Sequence, residues 1–289
     1  MNPVLEKISH LIPDRLYIEL RFRERMHKKL NLRNPQTYSE KLQWLKLYYH
    51  NPILIKLVDK ADVKSWVSEQ IGEEYIIPTI GVWDSFDEID FSTLPNQFVL
   101  KCTHDSGGIY IVPDKTKFEI DKAREKLVPR LKTSYYWHTR EWPYKYVKPR
   151  IIAEKFMVDE SGYELKDYKF FCFDGKVKFL FIATDRGAVD KETKFDFYDE
   201  NFNHLPFKNG HENSDHELKC PMGFEEMKRL ASILSVGFPE VRIDFYDING
   251  KVYFGEMTFF HWGGMMPFEP EEWDLVFGNQ IKLPKKIRN

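Results

Sequence analysis

The sequence has little of what marks secreted, membrane or metal-finger proteins. Its 289 residues include only three cysteines, Cys102, Cys172 and Cys220, which are odd in number and lack paired metal-ligand spacing. We therefore expect a reducing compartment and no disulfide framework. No apolar run approaches the roughly 20 residues of a membrane span. The amino-terminal stretch is interrupted by charged residues and by Pro13, so it lacks the apolar centre of a signal peptide. These absences predict a cytoplasmic protein without a transmembrane segment.

An excess of charge of one sign is also missing. The chain has 43 Lys and Arg residues against 45 Asp and Glu residues, so it presents no overall field toward anionic lipid, and nucleic acid is not an expected partner. Two catalytic motifs are absent as well: the Gly-x-Ser-x-Gly nucleophile elbow and the Asp-x-Asp pair common in metal-dependent sugar-nucleotide enzymes. With 30% charged and 16% aromatic residues, the chain is expected to be folded.

What is present predicts an α+β fold. Residues 14–57 have the pattern of helices with a break before Thr37, which with Glu40 suits a capping box. A further helix is predicted over about 59–70, ending at Gly72. The remaining predicted segments are strands at 75–83, 97–101, 108–112, 150–157, 167–173, 176–183, 240–247 and 251–258, and helices at 117–132 and 224–236. Strands joined by hairpins, with irregularly spaced helices, favour α+β over a doubly wound parallel sheet.

The last two predicted strands carry a group of charged side chains. The Asp-Ile-Asn-Gly stretch between them suits a three-residue loop with Gly250 in the left-handed position. Such a loop places Arg242 opposite Glu256 and Asp244 opposite Phe254. Because side chains alternate along a strand, one face then carries four polar residues: Arg242, Asp244, Glu256 and Thr258. A two-residue turn would instead put Glu256 on the other face.

This group suits magnesium bound to a polyphosphate. Carboxylate oxygens hold the ion, and a guanidinium meets the charge of a transferred phosphoryl group. The alternative is an ordinary cross-strand ion pair between Arg242 and Glu256, which contributes little to stability at a surface. The glycine-bearing segment 259–264 directly after the second strand favours a ligand site, because glycine lets the backbone approach a ligand closely.

Two earlier predicted strands also end in charged residues. The strand 97–101 closes in Lys101 before a Ser-Gly-Gly loop, and this lysine is either the solvated end of the strand or a charge at a ligand. The segment 150–157 turns polar at Glu154 and Lys155 before a final Phe-Met pair. It is either an exposed strand end or a segment that binds an adenine ring.

The order of these pieces resembles that of an ATP-grasp enzyme such as D-alanine–D-alanine ligase. Asp59-Lys60 opens a helix, Lys101 precedes the Ser-Gly-Gly loop, Glu154-Lys155-Phe156-Met157 follows, and Arg242-x-Asp244 is joined through a hairpin to Glu256-x-Thr258. More narrowly, Asn34-Pro35-x-Thr37, Phe98-Val99-Leu100-Lys101, the segment 149–155 and Asp167-Tyr168-Lys169 are similar to the TupA-like branch, named for teichuronopeptide synthesis. The resemblance covers about residues 30–280.

The resemblance implies a helical segment at 1–58 and an ATP-grasp domain at 59–289, with a nucleotide-clasping lid at about 75–157 and a metal-binding and catalytic subdomain at about 158–289. Two α+β subdomains of this kind clasp ATP between antiparallel sheets. The nucleotide-binding residues implied are Lys60 and Lys101 at the phosphates, Ser106, Gly107 and Gly108 in a mobile loop over them, Glu154, Lys155, Phe156 and Met157 at the adenine, Asp167 at the ribose, and Lys169 on the same face as Asp167. Asp244 and Glu256 are implied as Mg²⁺ ligands, with Thr258 where the ligases usually carry asparagine, and Arg242 and Lys101 as catalytic residues.

The implied activity is an ATP- and Mg²⁺-dependent carboxylate–amine ligase that forms an acyl phosphate and then an amide. The TupA-like branch implies an amino acid or other small acid joined to an amine or amino sugar of a surface polysaccharide. Two alternatives stay open: an ATP-grasp kinase acting on a glycan hydroxyl, and a glycosyltransferase, which the missing Asp-x-Asp pair disfavours. The aromatic segment 135–144 is either packed in the protein or a sugar-stacking surface. His104, His138 and His261 are too far apart in sequence to predict a metal site, although His104 could touch a phosphate.

Overall fold

The structure, a computed structural model, describes residues 9–159, 165–185 and 192–287. The helices are, in chain order, α1 (Asp14–Met26), α2 (Tyr38–Tyr48), α3 (Ile53–Val58), α4 (Asp62–Ile71), α5 (Ile120–Leu131), α6 (Tyr136–Thr139), α7 (Phe224–Leu234) and α8 (Glu272–Gln280). The strands are β1 (Thr79–Trp83), β2 (Phe98–Cys102), β3 (Ile109–Val112), β4 (Ile151–Lys155), β5 (Asp167–Phe173), β6 (Lys176–Thr184), β7 (Lys194–Asp199), β8 (His204–Leu205), β9 (Lys208–Asn209), β10 (Val241–Ile248), β11 (Lys251–Thr258) and β12 (Phe268–Glu269). In the part of the chain so described, no helix is long and apolar enough to cross a membrane.

The chain divides into a larger unit, Met1–Asn51 with Asp159–Asn289, and a smaller unit, Pro52–Val158. The larger unit is built on a six-stranded antiparallel sheet in the order β11-β10-β5-β6-β7-β8. Strand β5 is buried along its whole length. Helix α7 packs against it, and Phe277 of α8 meets Phe171 of β5 edge-on with ring centroids 5.2 Å apart. The central strands of this sheet are therefore held on a continuous core.

Helix α2 fixes the bend that follows β11. The helix begins with the predicted capping box, in which the Thr37 side chain accepts from the Glu40 backbone N–H and the Glu40 side chain accepts from that of Thr37. Gln43 Nε2, on the buried face of α2, donates to the carbonyl oxygens of Gly263 and Gly264 at 3.0 and 2.9 Å. These hydrogen bonds tie the glycine-bearing segment after β11 to a helix whose start the sequence specifies.

The smaller unit contains a four-stranded antiparallel sheet in the order β1-β4-β2-β3. Side chains on one face, including Phe98, Leu100 and Ala153, are fully buried in a core that helix α5 completes. Because side chains alternate along each strand, Lys101 of β2 and Glu154 of β4 project from the opposite face.

The predicted α+β class with antiparallel sheets is confirmed. Strands β5 and β11 have the predicted bounds, and α5 and α7 lie within the predicted helices. The Asp174-Gly175 turn between β5 and β6 has the positive φ angles of a two-residue hairpin turn, 48° and 78°. The prediction missed β7, β8, β9, β12, α6 and α8. Strands β8, β9 and β12 are two residues long, too short to show an alternation of apolar and polar side chains.

The turn between β10 and β11 differs from the prediction. Ile248 pairs directly with Lys251, so the loop has two residues rather than three, and both Asn249 and Gly250 have positive φ angles, 53° and 83°. This turn alone would have placed Glu256 on the wrong face. The register shifts by one residue at Gly255, however, and this bulge brings Glu256 opposite Asp244.

Arg242 therefore faces Thr258, not Glu256. A Cβ atom on Gly255 would lie 3.0 Å from the Asp244 carbonyl oxygen, which explains why the bulge carries glycine. The four polar side chains of the hairpin share one face, as predicted. The predicted register between β10 and β11 was wrong.

Candidate active site

Four polar side chains of the β10–β11 hairpin meet around one guanidinium group. Arg242 Nη2 lies 2.8 Å from Asp244 Oδ2, 3.2 Å from Glu256 Oε1 and 3.0 Å from Thr258 Oγ1. Arg242 Nε also donates to Asp244 Oδ1 at 2.7 Å, which completes a two-point contact between guanidinium and carboxylate. The structure thus brings together the predicted catalytic arginine and the three predicted metal ligands, and the cross-strand contact to Glu256 is one part of a larger cluster.

A second cation reaches the same buried carboxylate. Lys169 of β5 lies opposite Asp244 in the sheet register and forms an ion pair with its Oδ2. Lys169 Nζ is also 3.3 Å from Asp167 Oδ1. Asp244 has no exposed surface, whereas 40% of the Glu256 side chain is exposed. Asp244 is therefore the fixed centre of the cluster, and Glu256 is its solvent-facing carboxylate.

The ionisable groups of this cluster shift in different directions because they differ in their contacts. Burial opposes the charge of Arg242, but the facing Asp244 carboxylate outweighs it and raises the pKa of the guanidinium above its ordinary value. Burial lowers the pKa of Lys169, and the attraction of Asp244 offsets this only in part because the Arg242 charge also repels the ammonium. The cluster thus stabilises the charged form of Arg242 more than the charged form of Lys169.

The oxygens around Arg242 fit a hard divalent cation. Two carboxylates and a hydroxyl are donors of the kind that Mg²⁺ binds, and they already converge on one cationic nitrogen. Within residues 9–159, 165–185 and 192–287, no group of three or more His, Cys, Asp or Glu side chains could hold a metal ion. A magnesium ion at this hairpin would therefore need further oxygen ligands, such as those of bound phosphates.

In the smaller unit, Glu154 lies between two lysines. Its Oε2 is 2.6 Å from Lys101 Nζ, and its Oε1 forms an ion pair with Lys64 of α4. Glu154 is 5% exposed and the Lys101 side chain 19% exposed. Lys101 is therefore not the solvated end of β2. Glu154 is likewise buried and is not an exposed end of β4.

The two lysines keep Glu154 ionised although it is buried. Burial acts to raise the pKa of this carboxyl, but the charges of Lys101 and Lys64 together bring it below its ordinary value. Burial has the larger effect on Lys64, whose pKa is lowered. Lys64 Nζ also donates to the Ile77 carbonyl and to Thr79 Oγ1, each at 2.9 Å, so Lys64 is fixed to β1 as well as to Glu154.

The loop after β2 is held at its base by Asp105. Asp105 Oδ1 accepts from the Gly108 backbone N–H at 3.2 Å, and Oδ2 pairs with Arg130 Nη1 of α5 at 2.8 Å. Lys60 Nζ donates to the Asp105 carbonyl oxygen at 2.6 Å. A Cβ on Gly108 would lie 2.6 Å from Asp105 Oδ1, so any larger residue would displace the Asp105 carboxylate. The loop therefore has a fixed base beside the predicted phosphate lysine Lys60.

The loop tip and the end of β4 are more accessible. Ser106 and Gly107 are exposed, and Gly107 has a φ of 98°, which glycine adopts readily. Lys155 is exposed, whereas Phe156 and Met157 are partly buried. These are the positions predicted to cover the phosphates and the adenine.

Two other features of the sequence are packed into the smaller unit. His104 is 1% exposed, and its Nε2 lies 3.0 Å from the Arg130 carbonyl and 3.2 Å from that of Thr133. It therefore links the loop to the end of α5 rather than facing a phosphate. In the aromatic segment 135–144, Tyr136 and Trp142 are buried, which favours packing over a sugar-stacking surface.

A protein-family model described as TupA-like ATPgrasp matches residues 40–282, most of the chain. The chain belongs to the TupA-like ATP-grasp family. The resemblance predicted from the sequence is confirmed. No curated protein sequence matches this chain.

Among solved structures, this TupA-like ATP-grasp protein is similar to the D-alanine–D-alanine ligase of Helicobacter pylori, with 14% identity over 85% of this chain and 69% of that one and a TM-score of 0.45. It is similar to the Bacillus anthracis D-alanine–D-alanine ligase complexed with ATP, with 15% identity over 70% and 53% of the two chains and a TM-score of 0.39. An ADP complex of N5-carboxyaminoimidazole ribonucleotide synthetase matches with 14% identity over 76% and 50% and a TM-score of 0.44. The chain thus spans between 50% and 69% of the length of these proteins.

Three residues of the TupA-like protein's charged clusters were not assigned roles from the sequence: Lys64, Asn209 and His261. Lys64 follows Lys60 by four residues, one turn of the predicted helix, and this spacing was the available signal. His261 lies in the glycine-bearing segment after β11, where a buried polar partner of Arg242 could have been suspected. Asn209 gave no local signal, because its contact with His261 joins positions 52 residues apart.

Proposed function

We propose that this protein is an ATP- and Mg²⁺-dependent carboxylate–amine ligase that acts through an acyl phosphate. The observation that carries the proposal is the convergence of Asp244, Glu256 and Thr258 oxygens on one nitrogen of Arg242, in a member of an ATP-grasp family. Hard oxygens together with a guanidinium suit metal-bound phosphates at the moment of phosphoryl transfer.

The residues of the smaller unit supply the nucleotide contacts in this proposal. Lys60 and Lys101 contact the phosphates, and the exposed loop tip at Ser106 and Gly107, with Gly108 at its base, covers them. Glu154 orients Lys101 through their 2.6 Å contact, in addition to its role at the adenine. The adenine lies against the segment 154–157, which includes Lys155, Phe156 and Met157.

The residues of the larger unit hold the metal and the reacting phosphoryl group. Asp244 and Glu256 bind Mg²⁺, and Thr258 adds a hydroxyl oxygen. When bound, the ion neutralises phosphate charge and favours attack at the γ-phosphorus. Arg242 meets the charge that develops on the transferring group. Lys169 stays as the buried counter-charge of Asp244, next to Asp167 as the candidate ribose contact.

The proposed chemistry has two balanced steps. First, a carboxylate oxygen of the acid bonds to the γ-phosphorus of ATP, the bond from that phosphorus to the bridging oxygen breaks, and ADP leaves. Next, the amine attacks the acyl carbon, the tetrahedral oxyanion collapses, inorganic phosphate leaves, and the nitrogen gives up a proton to form the amide. Neither step needs a nucleophilic side chain, and in this proposal Arg242 stabilises the negative charge in both.

We propose an amino acid or other small carboxylate as the acid, and an amine or amino sugar of a surface polysaccharide as the acceptor. Membership of the TupA-like family supports this choice of substrates. The larger ATP-grasp proteins to which the chain is similar do not determine its substrates, because the chain spans only part of their length.

The direct test is a screen of purified protein for ADP and phosphate release, with Mg²⁺ and ATP, against a panel of carboxylic acids and amino sugars. With an active acid, hydroxylamine in place of the amine should yield a hydroxamate. ATP carrying oxygen-18 at the β–γ bridge should scramble the label when the acid is present without any amine, because ADP forms reversibly. A stable phosphate ester on a hydroxyl, with neither hydroxamate nor scrambling, would show that the enzyme is a kinase.

A further inference from the structure

His261 is a buried polar residue that the ligase mechanism above does not use. It is 3% exposed, and its ring meets Phe171 edge-on with centroids 5.0 Å apart. Its Nδ1 lies 2.7 Å from Arg242 Nη1, and its Nε2 lies 3.1 Å from Asn209 Oδ1. Both ring nitrogens of His261 therefore have hydrogen-bond partners, Arg242 on one side and Asn209 on the other.

These two contacts determine where the ring carries its proton. A guanidinium has N–H donors and no acceptor, so His261 Nδ1 must accept from Arg242. The neutral ring then carries its proton on Nε2 and donates it to Asn209 Oδ1. Asn209 Nδ2 donates to the carbonyl oxygens of Met266 and Pro267, both at 3.1 Å, which fixes the orientation of the amide. Every donor in this row of hydrogen bonds meets an acceptor.

The electrostatic surroundings favour the same neutral form. Burial, then the charges of Arg242 and Lys169, lower the pKa of His261 well below its ordinary value. A neutral imidazole is the form that can accept from a guanidinium without repelling it. The geometry and the charges therefore agree on one tautomer.

The contact with His261 is also distinct in kind from the other contacts of Arg242. Nε and Nη2 are directed to Asp244, Glu256 and Thr258, the oxygens assigned to the metal. Nη1 is directed to a neutral nitrogen that takes no part in metal binding in this assignment. His261 therefore supplies a point of attachment that does not compete with Mg²⁺ for an oxygen.

We propose that His261 is a positioning residue for Arg242 and that Asn209 holds His261 in the tautomer that accepts from the guanidinium. The value of this arrangement for catalysis rests on the ligase function proposed above, in which Arg242 stabilises the transferring phosphoryl group. The row of hydrogen bonds does not depend on the ligase function, so the positioning of Arg242 and the ligase function can be tested separately.

A matched pair of variants separates positioning of Arg242 from simple packing. In His261→Asn, the amide oxygen takes the place of Nδ1 and can still accept from Arg242. In His261→Gln, the amide takes the place of Nε2 and can still contact Asn209 but not Arg242. In protein labelled with ¹⁵N-arginine and studied without nucleotide, we expect the Arg242 side-chain N–H signals, assigned with Arg242→Lys, to persist in His261→Asn and to broaden in His261→Gln and Asn209→Ala. Signals that persist in all three variants, or broaden equally in the Asn and Gln variants, would overturn the proposal.

The wild-type protein provides a measurement that needs no variant to fold. Its ¹⁵N-histidine spectrum should show His261 as a neutral ring with the proton on Nε2 throughout pH 6–8. An imidazolium, or a ring protonated on Nδ1, would contradict the row of hydrogen bonds whatever the enzyme's substrates are.

Kinetics then test the link to catalysis with the acid found in the ADP-release screen. In His261→Gln, kcat should fall about 10- to 100-fold while KM for ATP changes less than about threefold, because misplacing Arg242 weakens the transition state more than ground-state binding. His261→Asn should recover most of kcat. Equal kcat in the Asn and Gln variants would exclude positioning. Failure of every acid in the screen would instead count against the ligase proposal and leave the spectroscopic results standing.

Discussion

The two charged clusters of this protein are held in different ways. In the larger unit, Arg242 is 7% exposed and contacts four side chains, and Asp244 beside it has no exposed surface. In the smaller unit, Lys101 keeps 19% of its side chain exposed and pairs with Glu154. A planar guanidinium with fixed partners loses little freedom when it acts, whereas a lysine on a flexible stem adjusts to a ligand.

This contrast supports the division of roles proposed above. The arginine cluster is preorganised, as stabilisation of a transient charge requires. The lysine cluster leaves 19% of the Lys101 side chain exposed, which allows this lysine to meet an incoming phosphate. Substitutions in the two clusters should therefore affect stability, turnover and ATP binding in different proportions.

The largest effect is expected from Asp244→Asn. This change leaves Arg242 and Lys169 buried with less negative charge, so it should lower the free energy of unfolding by about 3 kcal/mol, measured by chemical denaturation. It should also reduce turnover by roughly 10²- to 10³-fold, since the proposed metal ligand and the main partner of Arg242 are lost together.

Glu256→Gln is the matched control for Asp244→Asn, because its side chain is 40% exposed. It should reduce turnover by a similar factor with little change in unfolding free energy, since solvent compensates for the lost carboxylate. Equal destabilisation by the two variants would contradict the distinction between the buried carboxylate of Asp244 and the exposed carboxylate of Glu256. Near wild-type turnover in the double variant Glu256→Gln, Arg242→Gln would remove the metal assignment.

A smaller effect, on ATP binding, is expected from Lys101→Ala. Loss of one phosphate contact should weaken ATP affinity about 10-fold, about 1.4 kcal/mol, and reduce the rise in melting temperature that Mg²⁺ and ATP cause. Lys64→Ala should weaken ATP affinity less than about threefold, because the pair between Lys101 and Glu154 remains. An ATP-induced shift that is unchanged in Lys101→Ala, or reduced equally in both variants, would remove the phosphate role of Lys101.

Two buried glutamates extend the comparison to pH. Glu154, between two lysines, has a lowered pKa. Glu240, buried and hydrogen-bonded by the Tyr38 hydroxyl at 2.9 Å, has its pKa raised by burial from 4.5 to about 8. Between pH 4.5 and about pH 8, the folded protein retains a proton on Glu240 that the unfolded chain has released. Stability from this group is therefore full below about pH 4.5 and is lost as pH rises through about 8, by at most about 1.4 kcal/mol per pH unit.

Glu240→Gln should remove this dependence, because the amide keeps the acceptor for Tyr38 and does not ionise. Denaturant midpoints measured from pH 5 to pH 8 should fall more steeply with pH in the wild type than in the variant. Tyr38→Phe serves as a control that removes the hydrogen bond while keeping the buried carboxyl, and it should keep the pH dependence. Parallel curves for the wild type and Glu240→Gln would show that this glutamate is not the titrating group.

The sequence was sufficient to predict interactions that are local in the chain. Alternation correctly placed Arg242 with Asp244 on one face of β10, and Glu256 with Thr258 on one face of β11. Thr37 and Glu40 specified the start of α2, because a capping box involves residues three apart. The β10–β11 hairpin could be predicted because its two strands are adjacent in sequence.

Contacts between distant segments could not be predicted in this way. The pairs His261 with Asn209 and Lys64 with Glu154 depend on how whole elements pack, and nothing in either local sequence specifies its partner. The register of the hairpin shows a different limit. Two errors cancelled in its prediction, since the turn is one residue shorter than expected and the bulge at Gly255 restores the face of Glu256.

Because the bulge at Gly255 determines the face of Glu256, Gly255→Ala tests whether the bulge places Glu256 for catalysis. The expected effect is small. The added Cβ would lie 3.0 Å from the Asp244 carbonyl oxygen and 3.2 Å from an atom of the Tyr246 ring, so the bulge must shift to accept it. We expect a loss of about 1 kcal/mol in unfolding free energy and a fall in turnover of about 10-fold, because Glu256 follows the bulge and turns away from Asp244 and Arg242. Gly237→Ala is the matched control: its φ of 82° makes alanine unfavourable, but no atom lies within 4 Å of the new Cβ. It should cost similar stability and leave turnover unchanged. If both variants lose the same stability and neither loses turnover, the bulge does not place Glu256 for catalysis, and the shared face of the two carboxylates would be a feature of folding alone.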